Sequence, residues 1–474
     1  MPDYDIAVIG AGAAGLSVAN VAAQLGLRTA LIERDRMGGD CLNSGCVPSK
    51  ALLAAAHAAQ AMRDAARYGI QAVEPVVDWV AVRAHVRRAI DTIAPTDSPE
   101  RYRKLGADVI LGEARFAGPD SLHVETGGAT RRITARRIVV AAGSRAAVPD
   151  LPGLADIPYL TNATLFTLEA KPDHLVILGG GAIGVEMAQA HAQLGCRVTV
   201  VERAGLLSRE DPELADVLRQ ALLRAGVTLI EDAEVARVEL GPVLVLTDGR
   251  RIAGSHLLVA VGRTPNLEAL ALDVGGVAVT RRGLATDAAL RSTSNRRVYA
   301  VGDIADPAGI GPRYLTHVGS YHASLVVRSA LFRMPARLDY AALPSVVFTD
   351  PELAQTGMTE AAARTAGHDV QVFRWSLAEN DRAIAEARTD GMVKLVTVGG
   401  RILGAGIAAP HAGEMIGTWT LAVGRRLKLS TMAGMIVPYP TRAEAMKRAA
   451  ATAVLPRLFA PRVRWLVRML ARLP

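Results

Sequence analysis

The sequence predicts a multidomain α/β protein, and three observations carry that expectation. The chain has 474 residues, which is long for a single hydrophobic core. Near its amino end a short apolar run, Tyr4 to Ile9, leads directly into a glycine-rich turn and an alanine-rich helical stretch; a strand buried on both faces reads as such a continuous apolar run. The same strand, turn and helix then recur further along the chain.

In the first copy YDIAVI is followed by Gly10-Ala11-Gly12-Ala13-Ala14-Gly15, a helix ending near Gly26, a strand from Thr29 to Ile32, and Glu33. In the second, Leu175-Val176-Ile177-Leu178 is followed by Gly179-Gly180-Gly181-Ala182-Ile183-Gly184, a helix, a strand from Val198 to Val201, and Glu202. Both copies place the acid 23 residues after the first glycine, both helices close on AQLG (23–26 and 192–195), and the offset between copies is 169. The spacing has a physical cause. Gly10 and Gly179 make the tight turn, Gly12 and Gly181 let the backbone approach a pyrophosphate, and Gly15 and Gly184 let helix and strand pack closely. The helix amino terminus offers N–H groups and a positive dipole end to phosphate, and Glu33 or Glu202 accepts hydrogen bonds from a ribose. One such pattern is weak evidence. Two, each between a strand and a helix, predict two Rossmann-like domains holding two dinucleotides. A carboxylate at Glu202 suits a free 2′-hydroxyl, so NADH is favoured; Arg203 beside it keeps NADPH as the other candidate.

Half of the residues are hydrophobic and only 4% aromatic. No apolar run of about eighteen residues lacks a charge or a breaker, so no membrane span is expected. The opening MPDYDIAVIG enters the strand pattern without a basic and apolar leader, and the expected location is cytoplasmic. Basic residues number 54 against 46 acidic, a net charge of +8, but no zinc finger, recognition helix or aromatic-studded basic strand accompanies them, and no nucleic acid partner is expected.

The chain has three cysteines, two of them in Cys41-Leu42-Asn43-Ser44-Gly45-Cys46. A regular helix would hold residues five apart at roughly 8–9 Å, beyond the reach of about 7 Å that a disulfide allows. The segment is therefore expected to bend, and Asn43 and Gly45 tolerate such backbone. Pro48 opens or kinks the next helix and puts Cys46 near a helix amino terminus, which favours its thiolate. A close pair in a reducing compartment reads as redox-active or metal-binding, and a zinc site lacks a second Cys/His pair. Cys196 reads as a small buried hydrophobe.

Gly38-Gly39-Asp40-Cys41-Leu42-Asn43-Ser44-Gly45-Cys46-Val47-Pro48-Ser49-Lys50 resembles the redox motif of the class I, flavin-dependent pyridine nucleotide-disulfide oxidoreductases, the family of dihydrolipoamide dehydrogenase, glutathione reductase and mercuric reductase. The resemblance continues through Ala141-Ala142-Gly143-Ser144, Val261-Gly262-Arg263-Thr264-Pro265-Asn266, Val298-Tyr299-Ala300-Val301-Gly302-Asp303, Thr349-Asp350-Pro351-Glu352 and a closing Pro438-Tyr439-Pro440-Thr441-Arg442-Ala443-Glu444. It implies an FAD domain in two parts (1–150 and 271–338), an inserted NAD(P)H domain (151–270), an α+β dimerisation domain (339–456) and a basic tail (457–474). Glu33, Gly143, Asp303 and His317 would then bind FAD together with Gly10, Gly12 and Gly15, and Gly262 would join Gly179, Gly181, Gly184 and Glu202 around the nicotinamide cofactor. Cys46 would face the isoalloxazine, Cys41 would meet substrate, and Lys50 would pair with Glu186 near flavin N5. Electrons would run from nicotinamide through flavin and the disulfide to a small-molecule acceptor, in a homodimer whose closing motif reaches the partner's cysteines.

The pattern breaks at Tyr439. Relatives that handle dithiols place there a histidine acting as acid and base, oriented by a glutamate at the position of Glu444; a tyrosine, ordinarily titrating near 10, is a poor base. Mercuric reductases carry a tyrosine, but they also carry a carboxy-terminal cysteine pair, and no cysteine follows Cys196 here. The acceptor is left as a disulfide, a quinone or a metal ion, with a low-turnover redox sensor as the non-enzymatic alternative. In the tail, Arg464, Arg468 and Arg472 are spaced to share one helical face beside Trp465, Leu466, Met469, Leu470 and Leu473, a pattern fitting peripheral membrane contact or packing on the dimer.

Overall fold

The computed structural model describes residues 1–473 and divides into two compact units. The first comprises Met1–Leu52, Asp78–Lys171 and Leu257–Leu338, the second Leu53–Val77, Pro172–His256 and the chain from Asp339 onward.

The first unit is built on a parallel sheet in the order Ala107–Leu111, Thr29–Glu33, Tyr4–Ile9, Ala129–Val140, Val298–Ala300. Ile6, Ala7 and Val8 at its centre are fully buried and pair with Thr29, Ala30 and Leu31 on one side and with Arg137, Ile138 and Val139 on the other. Small residues set how closely the helices lie. Helix Ala13–Gln24 packs on helix Thr316–Val326 where Ala14 meets Gly319, and a Cβ on that glycine would come within 3.1 Å of the Ala14 Cβ.

The second unit repeats the device with parallel strands Thr228–Ile230, Arg197–Val201 and His174–Leu178 and helix Ala182–Gln193. Its carboxy-terminal part is an antiparallel sheet in the order Pro344–Val347, Glu352–Gly357, Arg401–Ala409, Met392–Val398, Gln371–Ser376. Helices Ala412–Gly424 and Ala443–Leu458 share its core, in which Trp419 is buried. Helix Ala443–Leu458 carries Pro456 in its last turn, and a separate helix, Pro461–Leu470, follows it. The expected tail segment thus begins inside one helix and forms a second with no buried residue; Trp465, Leu466, Met469, Leu470 and Leu473 are exposed. Among the described residues no helix is long and apolar enough to cross a membrane.

A buried ion cluster joins the two parts of the second unit. Lys394, 3% exposed, lies on the carboxy-terminal sheet with its Nζ 2.8 Å from Asp211, 2.5 Å from Glu213 and 3.0 Å from Glu360. Asp211 also caps helix Pro212–Arg224 by accepting the Glu213 N–H. Arg374 completes the cluster by reaching Glu213 at 2.6 Å and Glu360 at 3.3 Å. Hydrogen bonds from Arg374 and Lys394 bring the Glu213 carboxyl down to about 2, against the desolvation that opposes ionisation.

Removing the ammonium leaves the buried Asp211 carboxylate without its cation, while Arg374 still pairs with Glu213 and Glu360. Lys394→Met is expected to lower stability by about 3–5 kcal/mol at neutral pH. A carboxyl with a lowered pKa contributes its full stability above its unfolded value and loses it as pH falls towards its folded value, so the Glu213 contribution declines below about pH 4.5 and is gone near about pH 2. The melting-temperature gap between wild type and variant should therefore be large at neutral pH and narrow in acid; an equal gap at both would count against the cluster as its origin.

Candidate functional site

Each glycine turn is locked by its own acid. Gly10 has φ +101° and Gly179 φ +113°, a region that side chains other than glycine's rarely occupy. A Cβ on Gly15 would lie 1.9 Å from the Gly10 carbonyl oxygen, and one on Gly184 2.0 Å from that of Gly179. The Ala11 N–H donates to Glu33 Oε2 at 2.6 Å and the Asp35 N–H to Oε1 at 2.9 Å. In the second copy the Gly180 N–H donates to Glu202 Oε2 at 2.6 Å and the Ala204 N–H to Oε1 at 2.9 Å. Gly12 and Gly181 are the N-caps, and neither helix has a side-chain cap or an acid in its first turn. Uncapped amides at a dipole's positive end, beside a turn with no room for side chains, suit a dinucleotide pyrophosphate. The residues fit the two cofactors expected of them.

The cysteine segment is two helices with a break. Gly38 (φ +88°) and Gly39 (φ +58°) start helix Gly39–Asn43, Ser44 and Gly45 interrupt it, and helix Cys46–Arg63 follows. Cys41 thus sits inside a short helical turn, with the bend just after it. Asn43 holds the bend by donating to the carbonyls of Met37 and Gly39, and a Cβ on Gly45 would meet the Asp40 carbonyl oxygen at 2.9 Å. Both thiols are half-buried and free. The hydrogen bond between them sets their acidities in opposite directions. It lowers Cys46 to about 6, helped by the Thr316 hydroxyl and the positive charge of Lys50. It raises Cys41, helped by burial. Reduced, the pair holds one proton on Cys41 and a negative charge on Cys46.

A chain of polar contacts ties this segment to the rest of the first unit. Asp40 accepts from Arg263 at 2.5 Å, from Ser44 at 2.5 Å and from Asn162 at 2.8 Å. Arg263 also donates to Ser144 Oγ at 2.7 Å, and Ser144 donates to Asp303 at 2.5 Å. Burial raises the Asp303 carboxyl, while Ser144 and Arg263 pull it down. Strands Ser144–Ala146 and Arg263–Pro265 pair antiparallel and carry Gly143 (φ +64°) and Gly262 (φ +141°) at their starts. Gly262 therefore lies in the first unit with the flavin candidates. Behind Asp303, His322 is fully buried and its Nδ1 accepts the Gly302 N–H at 3.1 Å; burial lowers it to about 4. His317 is exposed in the first turn of the same helix, one residue after Thr316.

In the second unit, Glu186 is buried on helix Ala182–Gln193 and accepts the Phe348 N–H at 3.0 Å. Tyr439 is 69% exposed and donates to Asp381 at 2.8 Å, which holds the phenol above its ordinary range. Glu444 pairs with Arg448 at 3.0 Å, so the carboxylate on the tyrosine hydroxyl is that of Asp381. Cys196 is buried, as its sequence context implies. Among the described residues no cluster of His, Cys, Asp and Glu could hold a metal ion.

Sequence reasoning missed Thr316, Asp40, Ser144, Arg263, His322 and Asp381. Ser144 and Arg263 stand inside motifs that were recognisable as blocks, and Asp40 adjoins Cys41. Thr316 is 270 residues from Cys46, and nothing in its local sequence signals the contact.

The chain matches known proteins along most of its length. Residues 4–330 match the model of the pyridine nucleotide-disulphide oxidoreductase family, and residues 343–450 match the dimerisation domain of that family. A mercuric reductase of Streptomyces lividans is 38% identical over 95% of this chain and 96% of its own. A dihydrolipoyl dehydrogenase of Geobacillus stearothermophilus is 33% identical over 94% of this chain and 95% of its own. Among solved structures, the Cu(II) complex of RclA, an HOCl-induced flavoprotein disulfide reductase of Escherichia coli, superposes with a TM-score of 0.83 at 29% identity, covering 94% of this chain and 98% of that one.

The buried histidine generates a pH prediction. A histidine whose folded pKa is lowered binds its proton more readily in the unfolded chain, so the fold loses stability as pH falls from about 6.5 towards about 4. His322→Gln, which retains an acceptor for the Gly302 N–H and does not titrate, should flatten that part of the stability curve for the first unit. Chemical denaturation followed at closely spaced pH values checks it; an unchanged slope would place the acid sensitivity elsewhere.

Proposed function

The chain belongs to the pyridine nucleotide-disulphide oxidoreductase family, and we propose that within it this FAD-dependent enzyme works in the cytoplasm as a reductase of thiophilic metal ions, using NADH in preference to NADPH. FAD and a nicotinamide cofactor follow from the family, and its dimerisation domain supports a homodimer. Bound FAD would supply two-electron transfer between nicotinamide and the disulfide. The parts of the chain proposed for it are Gly10, Gly12, Gly15, Glu33, Gly143, Asp303 and His317 in segments 1–150 and 271–338. Gly179, Gly181, Gly184 and Glu202 are proposed for the nicotinamide cofactor in segment 151–270, with Gly262 contributing from its ribbon. Lys50 and Glu186 are proposed to pair beside the flavin, and segment 339–456 to form the dimer.

The observation that carries the choice of acceptor is Tyr439. Its hydroxyl is engaged with Asp381 and its pKa lies above the ordinary phenol range, so at neutral pH it donates a hydrogen bond and accepts no proton. Exchange with an organic dithiol needs a base to activate each thiol. A metal ion needs none, because it binds thiolate directly and displaces the remaining proton. Reduction of the Cys41–Cys46 bond takes two electrons and one proton. The bond re-forms when one divalent ion takes both electrons, or when two ions take one each. The mercuric reductase relatives and the Cu(II) complex of RclA support this reading.

The exposed apolar face of helix Pro461–Leu470 beside Arg464 and Arg468 favours a second proposal, peripheral contact of residues 457–474 with an anionic membrane. Sedimentation with anionic vesicles should bring down the full chain and leave a 1–456 truncation in solution; equal recovery would argue against it.

The acceptor is tested by anaerobic rapid mixing of enzyme reduced with one equivalent of NADH. Hg(II) or Cu(II) should reoxidise the wild type in a Cys41-dependent way, and lipoamide should do so slowly. Tyr439→His should raise the lipoamide rate by about 10²-fold or more. Fast reoxidation of the wild type by lipoamide would overturn the metal-ion reading.

A further inference from the structure

Cys46 lies against a helix other than its own. Its Sγ is 3.1 Å from the Oγ1 of Thr316, the first residue of helix Thr316–Val326. The N-cap of that helix, Leu315, offers no side-chain acceptor, and the first turn carries no acid. The Cys46 sulfur is thus an acceptor within reach of the threonine hydroxyl. A β-branched side chain has few χ1 wells, so the hydroxyl is held in place. Which atom donates depends on the redox state. A thiolate can only accept, and the hydroxyl then makes a charge-assisted bond; a disulfide sulfur is neutral and a weak acceptor.

We propose that Thr316 is a positioning residue whose hydroxyl donates to the Cys46 sulfur when the pair is reduced and loses that acceptor when the disulfide closes, so that it favours dithiol over disulfide. The inference rests on the reading of Cys41 and Cys46 as the redox pair. Reduction breaks the S–S bond with two electrons from the reduced nicotinamide; one proton goes to Cys41, and the charge left on Cys46 is what Thr316 meets. The lowered pKa of the Cys46 thiol, to which the Thr316 hydroxyl contributes, agrees with that geometry.

The test compares FAD-bound wild type, Thr316→Val and Thr316→Ser. Each is reduced anaerobically with dithiothreitol and alkylated with iodoacetamide between about pH 5 and about pH 9, with label on the Cys46 peptide quantified by mass spectrometry. Wild type should show a midpoint near about 6. The valine variant, which keeps the shape and loses the hydroxyl, should titrate about one unit higher, with about tenfold less label at the acid end. Its disulfide midpoint against thiol buffers should be more negative by about 30 mV, the same tenfold. Serine should restore both values. Superimposed wild-type and valine curves, or an equal shift in the serine variant, would overturn the assignment. NADH turnover of Cys41→Ser, measured in parallel, separates the two levels. Unimpaired turnover sinks the redox reading even if the valine shift is seen; abolished turnover with no valine shift sinks the Thr316 assignment alone.

Discussion

The rest of the structure depends on how closely the third glycine of each turn packs against the carbonyl of the first. With a methyl group at Gly15 or Gly184, the new carbon would stand about as far from a backbone oxygen as a hydrogen-bonded proton does, at 1.9 and 2.0 Å. No rotamer relieves such a clash, because a Cβ has none. Helix and strand therefore meet at a distance only glycine permits, and the helix amino terminus is delivered to the turn with its amides uncapped. Glu33 and Glu202 then fix the turn through the intervening N–H group, using both oxygens of each carboxylate. The acid thus has a structural task before any ribose is considered.

The same economy governs the cysteine pair. Asp40, next to Cys41, would on its own oppose a thiolate on Cys46. Arg263 takes up that charge and passes the contact through Ser144 to Asp303. The acidity of one sulfur is therefore tied to residues at three distant places in the sequence. A substitution at Arg263 would act on the cysteines and on Asp303 together, without touching a sulfur.

Most of the fold was legible because its rules are local. The glycine spacing, the acid 23 residues on and the apolar run before the turn each follow from backbone geometry within one strand, turn and helix. The bend between Cys41 and Cys46 was legible for the same reason, since a regular helix cannot bring residues five apart into bonding range. What escaped was tertiary. Thr316 meets Cys46 through the packing of helix Thr316–Val326 on helix Ala13–Gln24, which depends on Gly319 facing Ala14. Asp381 reaches Tyr439 across 58 residues, and the motif around Tyr439 points instead to Glu444, which is taken by Arg448. The buried Lys394 cluster was invisible because a lysine on a strand reads as solvent-facing until its neighbours are known.

The two ends of the proposed reaction make different demands on protons. At the cysteine pair, one proton is held firmly on Cys41 while Cys46 is ionised near neutral pH. An organic disulfide acceptor leaves as two thiols and must be given protons, and an incoming dithiol must surrender them, so a titrating base beside Cys41 serves both directions. A phenol held by Asp381 does neither. A thiophilic cation changes the balance, because its charge lowers the pKa of any thiol that ligates it and so performs the deprotonation itself. On the proposed reading, the residue that replaces the usual base has little to do with proton transfer and can serve by donating a hydrogen bond. Loss of the base is then a consequence of the acceptor's chemistry, and the raised pKa of Tyr439 is compatible with turnover.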